Sequence, residues 1–184
     1  MTVEYELIRS NRKTIGLEIR DGKLIVRAPF RASERTIRKV LEERQDWIRK
    51  HLESSREQRE HADENPLTDS EIRQLADQAL KVIPERVRYW APIVGVTYGR
   101  ITIRNQKTRW GSCSSKGNLN FNCLLMLTPP EVMDSVIVHE LCHRKEMNHS
   151  ERFYTEVLRV YPEYHVWQKW LKKNGPGIIA RAAR

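Results

Sequence analysis

Cysteine is scarce in this chain: Cys113, Cys123 and Cys142 are the only three in 184 residues, and no two form a CxxC pair. An odd, widely spaced set excludes a disulfide-stapled secreted scaffold and fits a reducing compartment. Long apolar runs are also missing, with nothing near the roughly 18 consecutive residues of a membrane span. At the start, Met1-Thr2-Val3-Glu4-Tyr5-Glu6 carries acids where a secretion signal needs a basic segment and an apolar stretch. The expectation is therefore a cytoplasmic protein that does not enter membranes. No internal repeat of solenoid length is visible. Acidic residues are absent from 99–130, where Arg100, Arg104, Lys107, Arg109 and Lys116 all fall.

What is present is a globular composition, 39% hydrophobic and 31% charged, with 33 Lys and Arg against 24 Asp and Glu. The net charge of +9 favours anionic partners, nucleic acid among them. From Val3 to Ala28 apolar residues alternate, as Val3, Tyr5, Leu7, then Ile15, Leu17, Ile19, then Leu24, Val26, Ala28. This predicts three short strands, the last two joined at Asp21-Gly22, residues that accept the positive φ of hairpin turns. A helix is expected from Ser33 to about Glu60, with Ile37, Val40, Leu41, Trp47, Ile48 and Leu52 at helical spacing. The polar stretch from His61 to Pro66 reads as a linker.

A second helix is expected from Asp69, its stripe of Ile72, Leu75, Ala79, Ile83, Val87 and Trp90 running through Pro84. Val96–Tyr98 and Ile101–Arg104 read as strands, Trp110–Asn118 as a loop, and Leu119–Leu125 as a half-buried strand. Thr128 and Glu131 form a capping-box pattern around Pro129-Pro130. Ser150 caps a further helix that stops at Tyr161-Pro162, and a short helix around Trp167 and Trp170 follows. Asn174-Gly175-Pro176-Gly177 opens an expected frayed tail. The resulting division is 1–60 for strands and a long helix, 61–68 for a linker, 69–174 for a second domain and 175–184 for a flexible tail.

Chemistry concentrates in His139-Glu140-Leu141-Cys142-His143, the HExxH pattern. On a helix, residues four apart share a face at about 6 Å, so both imidazoles reach one metal ion. Glu140, on the flank of that face, can take a proton from the ion's water without ligating the ion. A catalytic zinc needs a third protein ligand, and His149 is the candidate. Six residues of unbroken helix would rotate it by about 600°, about 120° off the metal face. The helix must therefore end between His143 and His149, and Asn148 with the N-cap Ser150 supplies the break. Glu156 and Glu163 are fallback ligands. Tyr154 and His165 follow closely enough to be considered for stabilising an oxyanion.

The ordered set Trp110-Gly111-Ser112-Cys113-Ser114, Leu119-Asn120-Phe121-Asn122, Thr128-Pro129-Pro130, HExxH and Asn148-His149-Ser150-Glu151-Arg152-Phe153-Tyr154 resembles the YgjP-like metallopeptidase family, relatives of SprT-type zincins. One departure is Cys142, where a small residue such as Ala is more usual. The resemblance covers most of the chain. It implies an α+β fold: a small N-terminal β-hairpin and helix module, then a zincin-like mixed α/β domain with HExxH on its active-site helix. It further implies a zinc-dependent hydrolase of peptides or proteins, one Zn2+ per chain, with His139, His143 and His149 as ligands and Glu140 as catalytic base.

In zincin architecture the strand before the active helix often pairs with an extended peptide, which directs attention to Leu119–Leu125 and to Asn120 and Asn122 as substrate contacts. Arg109 and Lys116 are the basic candidates. Should they hold phosphates, the same site would hydrolyse a nucleotide phosphoanhydride. A third reading is a nucleic-acid-binding module with a structural metal. Structural sites are closed by four ligands, and only three suitable histidines are found.

Overall fold

The alternating N-terminal residues fold as expected in a computed structural model that describes residues 4–20 and 22–182, the side chains of 58, 59, 61 and 63 excepted. The chain divides into two units, Met1–Glu64 and Asn65–Arg184. In the first, β1 (Tyr5–Ser10), β2 (Gly16–Arg20) and β3 (Lys23–Pro29) form a sheet of order β1-β3-β2. β3 is parallel to β1 and antiparallel to β2. Gly22 takes φ 72° at the hairpin turn; Val3 and Asp21 lie outside the described residues.

The single helix expected from Ser33 is two, α1 (Glu34–Glu43) and α2 (Gln45–Glu64). Ser33 does cap the first, its side chain accepting from Thr36 N–H. At Arg44 the backbone leaves helical values (φ −110°, ψ 16°), and the turn there lets both Ile37 and Ile48 bury with Leu24, Val26 and Ala28. Packing of this kind outweighs local propensity. α2 also runs through residues 61–64, which corrects the expected linker there, because Ala62 is buried and the polar residues beside it do not break a helix. The break comes at Asn65-Pro66, where the residue before proline is turned away from helical values.

The second unit opens with α3 (Asp69–Val94), started by a complete Thr68–Glu71 capping box and ended by Gly95 at φ 80°. Leu75, Ala79, Ile83, Val87, Ala91 and Val94 form its buried face, and Pro84 and Pro92 lie within it. β4 (Ile101–Arg104), β5 (Gly111–Cys113) and β6 (Leu119–Asn122) follow in the order β4-β6-β5. Three expectations are corrected here. Val96–Tyr98 is not a strand, the loop at Trp110–Asn118 contains β5, and Leu119–Leu125 ends as a strand at Asn122. Cys123–Leu127 instead forms a 3₁₀ turn, capped by the Asn122 side chain, which accepts from Leu124 N–H.

α4 (Pro130–Cys142) carries the HExxH residues and is buried almost throughout, from Val132 to Cys142. It packs against α3, β5, α5 (Glu151–Val160) and α6 (Tyr164–Arg181). The Thr128–Glu131 capping box does not form: the Thr128 hydroxyl donates instead to Leu125 C=O at the end of the 3₁₀ turn, and α4 begins on its prolines without a side-chain cap. A fully buried apolar side chain such as Ile137 or Leu141 contributes about 1.5–3 kcal/mol, which makes this helix a rigid support for its polar residues.

The expected tail is also corrected. Residues 175–181 continue α6, with Ile178, Ile179 and Ala182 packed into the core. Pro176 costs the helix a hydrogen bond, but Gly175 brings the backbone against Trp110, where a Cβ would stand 3.1 Å from the indole. Leu67 N–H donates to Arg181 C=O (2.8 Å), anchoring the far end. The fold is α+β, and among the described residues no helix is long and apolar enough to cross a membrane.

Candidate active site

α4 ends at Cys142, and a tight turn follows in which Lys145 and Glu146 N–H groups both donate to Cys142 C=O. This early end solves the rotation problem posed by the spacing. The Ser150 cap then starts α5 and leaves His149 just ahead of it, turned back toward α4. His149 Nε2 lies 3.0 Å from His139 Nε2, which lies 3.2 Å from His143 Nε2. The three side chains bring one ring nitrogen each to within 4.8 Å of one another.

That geometry fits a metal. Two nitrogens each about 2.05 Å from a tetrahedral zinc are about 3.3 Å apart. Three imidazoles leave the fourth position open, as a catalytic site requires. Burial lowers the pKa of His139 to about 3, with His143 and His149 adding to the effect, and lowers that of His143, so both are neutral with a lone pair to offer at neutral pH. The other nitrogens are held: His143 Nδ1 lies 3.1 Å from Glu146 C=O, and His139 Nδ1 lies 2.7 Å from the Tyr164 hydroxyl.

Phe153, on α5 and fully buried, is the common neighbour of the three rings, at centroid distances of 4.8, 4.6 and 5.0 Å from His139, His143 and His149. It stacks on His143 and meets the other two edge-on, so it limits the rotamers of all three.

Glu140 is 6% exposed and points to β5. Its carboxylate accepts from the backbone N–H of Cys113 and feels Arg109; burial nevertheless pushes its pKa up to about 8. A cation at the histidines acts in the opposite direction. A Cβ at Gly111 would stand 2.8 Å from Glu140 Cγ and Oε1, so only glycine lets strand and carboxylate approach this closely.

The remaining sequence candidates are placed as follows. Asn122 is fully buried, donates to Gln106 and Arg109 carbonyls (2.8 and 2.9 Å) and accepts from Leu124 N–H. Its amide hydrogens hold the 106–111 segment and its oxygen caps the 3₁₀ turn, which corrects its reading as a substrate contact. Asn120 bonds Ser112 Oγ across the strand pair. β6 is the central strand with partners on both sides, so it is not the strand that an added peptide could join. Arg109 is exposed within electrostatic reach of Glu140, and Lys116 is exposed in the β5–β6 turn. Glu156 is paired with Lys145 and Arg159 (2.9 and 3.0 Å), and neither it nor Glu163 joins the histidine group. Tyr154 sits 6.4 Å from His149, ring to ring, with the exposed His165 beyond it.

Sequence reasoning missed Tyr164, Gly111 and the role of Phe153. Tyr164 and Gly111 act across 25 and 29 residues of chain, and Phe153, though only four residues from His149, reads as an ordinary apolar position of the helix.

The description "YgjP-like, metallopeptidase domain" belongs to a family whose sequence pattern matches residues 13–82 and 69–174. The chain belongs to this family. The YgjP-like assignment makes it a metal-dependent hydrolase of the metallopeptidase kind, for which a peptide or protein is the implied substrate. No curated protein matches it significantly in sequence. Among solved structures it is similar to the metallopeptidase zymogen abylysin of Pyrococcus abyssi, at 24% identity and TM-score 0.46, covering 50% of this chain and 94% of that one. It is also similar to the metallopeptidase zymogen jannalysin of Methanocaldococcus jannaschii, at 23% identity and TM-score 0.42, covering 50% and 97%.

Proposed function

We propose that this YgjP-like chain is a zinc peptidase in which His139, His143 and His149 hold one metal ion and Glu140 moves the proton. The observation that carries this reading is that His143 Nε2 and His149 Nε2 lie 3.2 and 3.0 Å from His139 Nε2, a grouping of three imidazoles in a member of a metallopeptidase family. Zinc is favoured because three imidazoles with an open position suit it. When bound, it supplies charge that lowers the pKa of a coordinated water to about 7 and polarises the scissile carbonyl.

The chain's own residues do the rest. Glu140, held by Cys113 N–H, takes a proton from the attacking water as the new C–O bond forms. It returns that proton to the leaving amine as the C–N bond breaks. β5 is an edge strand, and its pairing alternates, with Trp110, Ser112 and Ser114 facing β6. The outward backbone groups of Gly111, beside Glu140, are then placed to pair with an extended peptide.

The test is Glu140→Gln, assayed on a denatured protein such as casein and, on the same preparations, for phosphate release from nucleoside triphosphates. The expected result is full metal content with cleavage reduced by about 10²–10⁴-fold. Unchanged cleavage removes Glu140 from the mechanism. Phosphate release that depends on Glu140, without proteolysis, overturns the peptidase reading.

A further inference from the structure

His139 and His143 stand on one helix and face one point, yet their second nitrogens are anchored differently. Next to His143 Nδ1, at 3.1 Å, is the carbonyl of Glu146, which can only accept. That contact places the proton on Nδ1 and leaves Nε2 with its lone pair, the tautomer a metal ligand needs. Next to His139 Nδ1, at 2.7 Å, is the hydroxyl of Tyr164, which can donate or accept. Tyr164 is the first residue of α6, 3% exposed, and its ring lies nearly parallel to His139 at 15° and 5.9 Å. Among the described residues, His139 is the one hydrogen-bond partner of this phenol. A phenylalanine would fill the same space, so packing does not account for the hydroxyl.

We propose that Tyr164 is a positioning residue of the metal centre: its phenol oxygen accepts the Nδ1 proton of His139 and so turns the Nε2 lone pair toward the ion. This rests on the three-histidine reading above. In the metal-free protein the same hydroxyl can donate to Nδ1, leaving a proton on Nε2 that bonds to a neighbouring imidazole 3.0 or 3.2 Å away. Metal binding selects the accepting arrangement. α6 thus reports to α4 through one hydrogen bond, and the His139–Tyr164 pair fixes both tautomer and ring angle. Partners of this kind, when removed, cost about 10–100-fold in metal affinity.

Tyr161 provides a matched control, since its hydroxyl donates to Glu131 C=O (3.0 Å) on the same helix α4 but touches no ligand. Zinc affinity, measured by competition with a chromophoric chelator, and the visible spectrum of cobalt-loaded protein are compared for wild type, Tyr164→Phe and Tyr161→Phe. Zinc binding about 10–100-fold weaker and shifted cobalt bands in Tyr164→Phe alone are expected. Affinity and spectrum equal to wild type in Tyr164→Phe overturn the proposal. Equal losses in both variants also overturn it, since they reflect a loosened helix. Nitrogen NMR of the histidine rings in wild type, loaded with zinc, reads the tautomer even if Tyr164→Phe fails to fold. A hydrogen-bonded Nδ1–H at His139 is expected, and its absence is a refutation. Wild type that binds no metal at all refutes the three-histidine site itself, a different result from tight binding that ignores Tyr164.

Discussion

Gly111→Ala is the sharpest perturbation the structure offers, because it adds one methyl group between β5 and the carboxylate of Glu140. The new Cβ would lie 2.8 Å from Glu140 Cγ and Oε1 and 3.1 Å from Cδ, while ordinary contact begins at 3.4 Å. A gap of about 0.6 Å must be opened, and neither partner yields freely. Glu140 is 6% exposed and bonded to Cys113 N–H, and β5 is paired to β6 along its length. Overpacking of this kind costs roughly 1–3 kcal/mol of stability. The larger effect falls on turnover, since displacing a catalytic group by about 1 Å can cost about 10²-fold. The assay pairs calorimetric melting with proteolysis of denatured casein, and with zinc content measured on the same samples. The expected variant melts lower, keeps its zinc and cleaves about 10²-fold more slowly. Wild-type turnover and melting would refute the argument that Glu140 is pressed against this strand.

Phe153→Ala removes the ring that all three histidines touch; a loss of about 3–5 kcal/mol in chemical denaturation and weaker zinc binding are expected, and unchanged zinc affinity would show that the ring does not order the ligands. Ending the chain at Asn174 deletes Ile178, Ile179 and Ala182 from the core, so the urea midpoint followed by tryptophan fluorescence should fall; an unchanged midpoint would restore the frayed tail. Asp134→Ala breaks the Arg86–Asp134 pair that ties α3 to α4, with an expected loss of roughly 1–3 kcal/mol and retained zinc; wild-type stability would mean that pair is dispensable.

Local signals are legible in the sequence, and distant ones are not. The strands β1 to β3 follow from period-two alternation, α3 from its apolar stripe, and the His139–His143 pair from helical spacing, all within a few residues. His149 is legible too, because helical rotation requires a break before it and Ser150 supplies one. Arg44 carries no breaker signature, and α1 parts from α2 only because the sheet offers both Ile37 and Ile48 a common core. Asn122 looked like a polar residue available to substrate; its amide is spent on carbonyls 13 and 16 residues upstream that no spacing reveals. Thr128 had the right neighbour in Glu131, but the carbonyl of Leu125 competed for its hydroxyl. Glycine and proline at 175–177 signal a loop in isolation, and Trp110 with the core turns them into helix.

The central claim is that His139 and His143, at the C-terminal end of α4, and His149, just ahead of α5, form one metal site. Elemental analysis of untagged protein purified without chelator, beside His149→Ala, tests it most directly. His149 is exposed, so its loss should spare the fold. One zinc per wild-type chain, with much weaker retention in the variant, is the predicted result. Folded wild type that holds no metal and takes up none on adding zinc, or a variant that retains zinc as tightly as wild type, would contradict it.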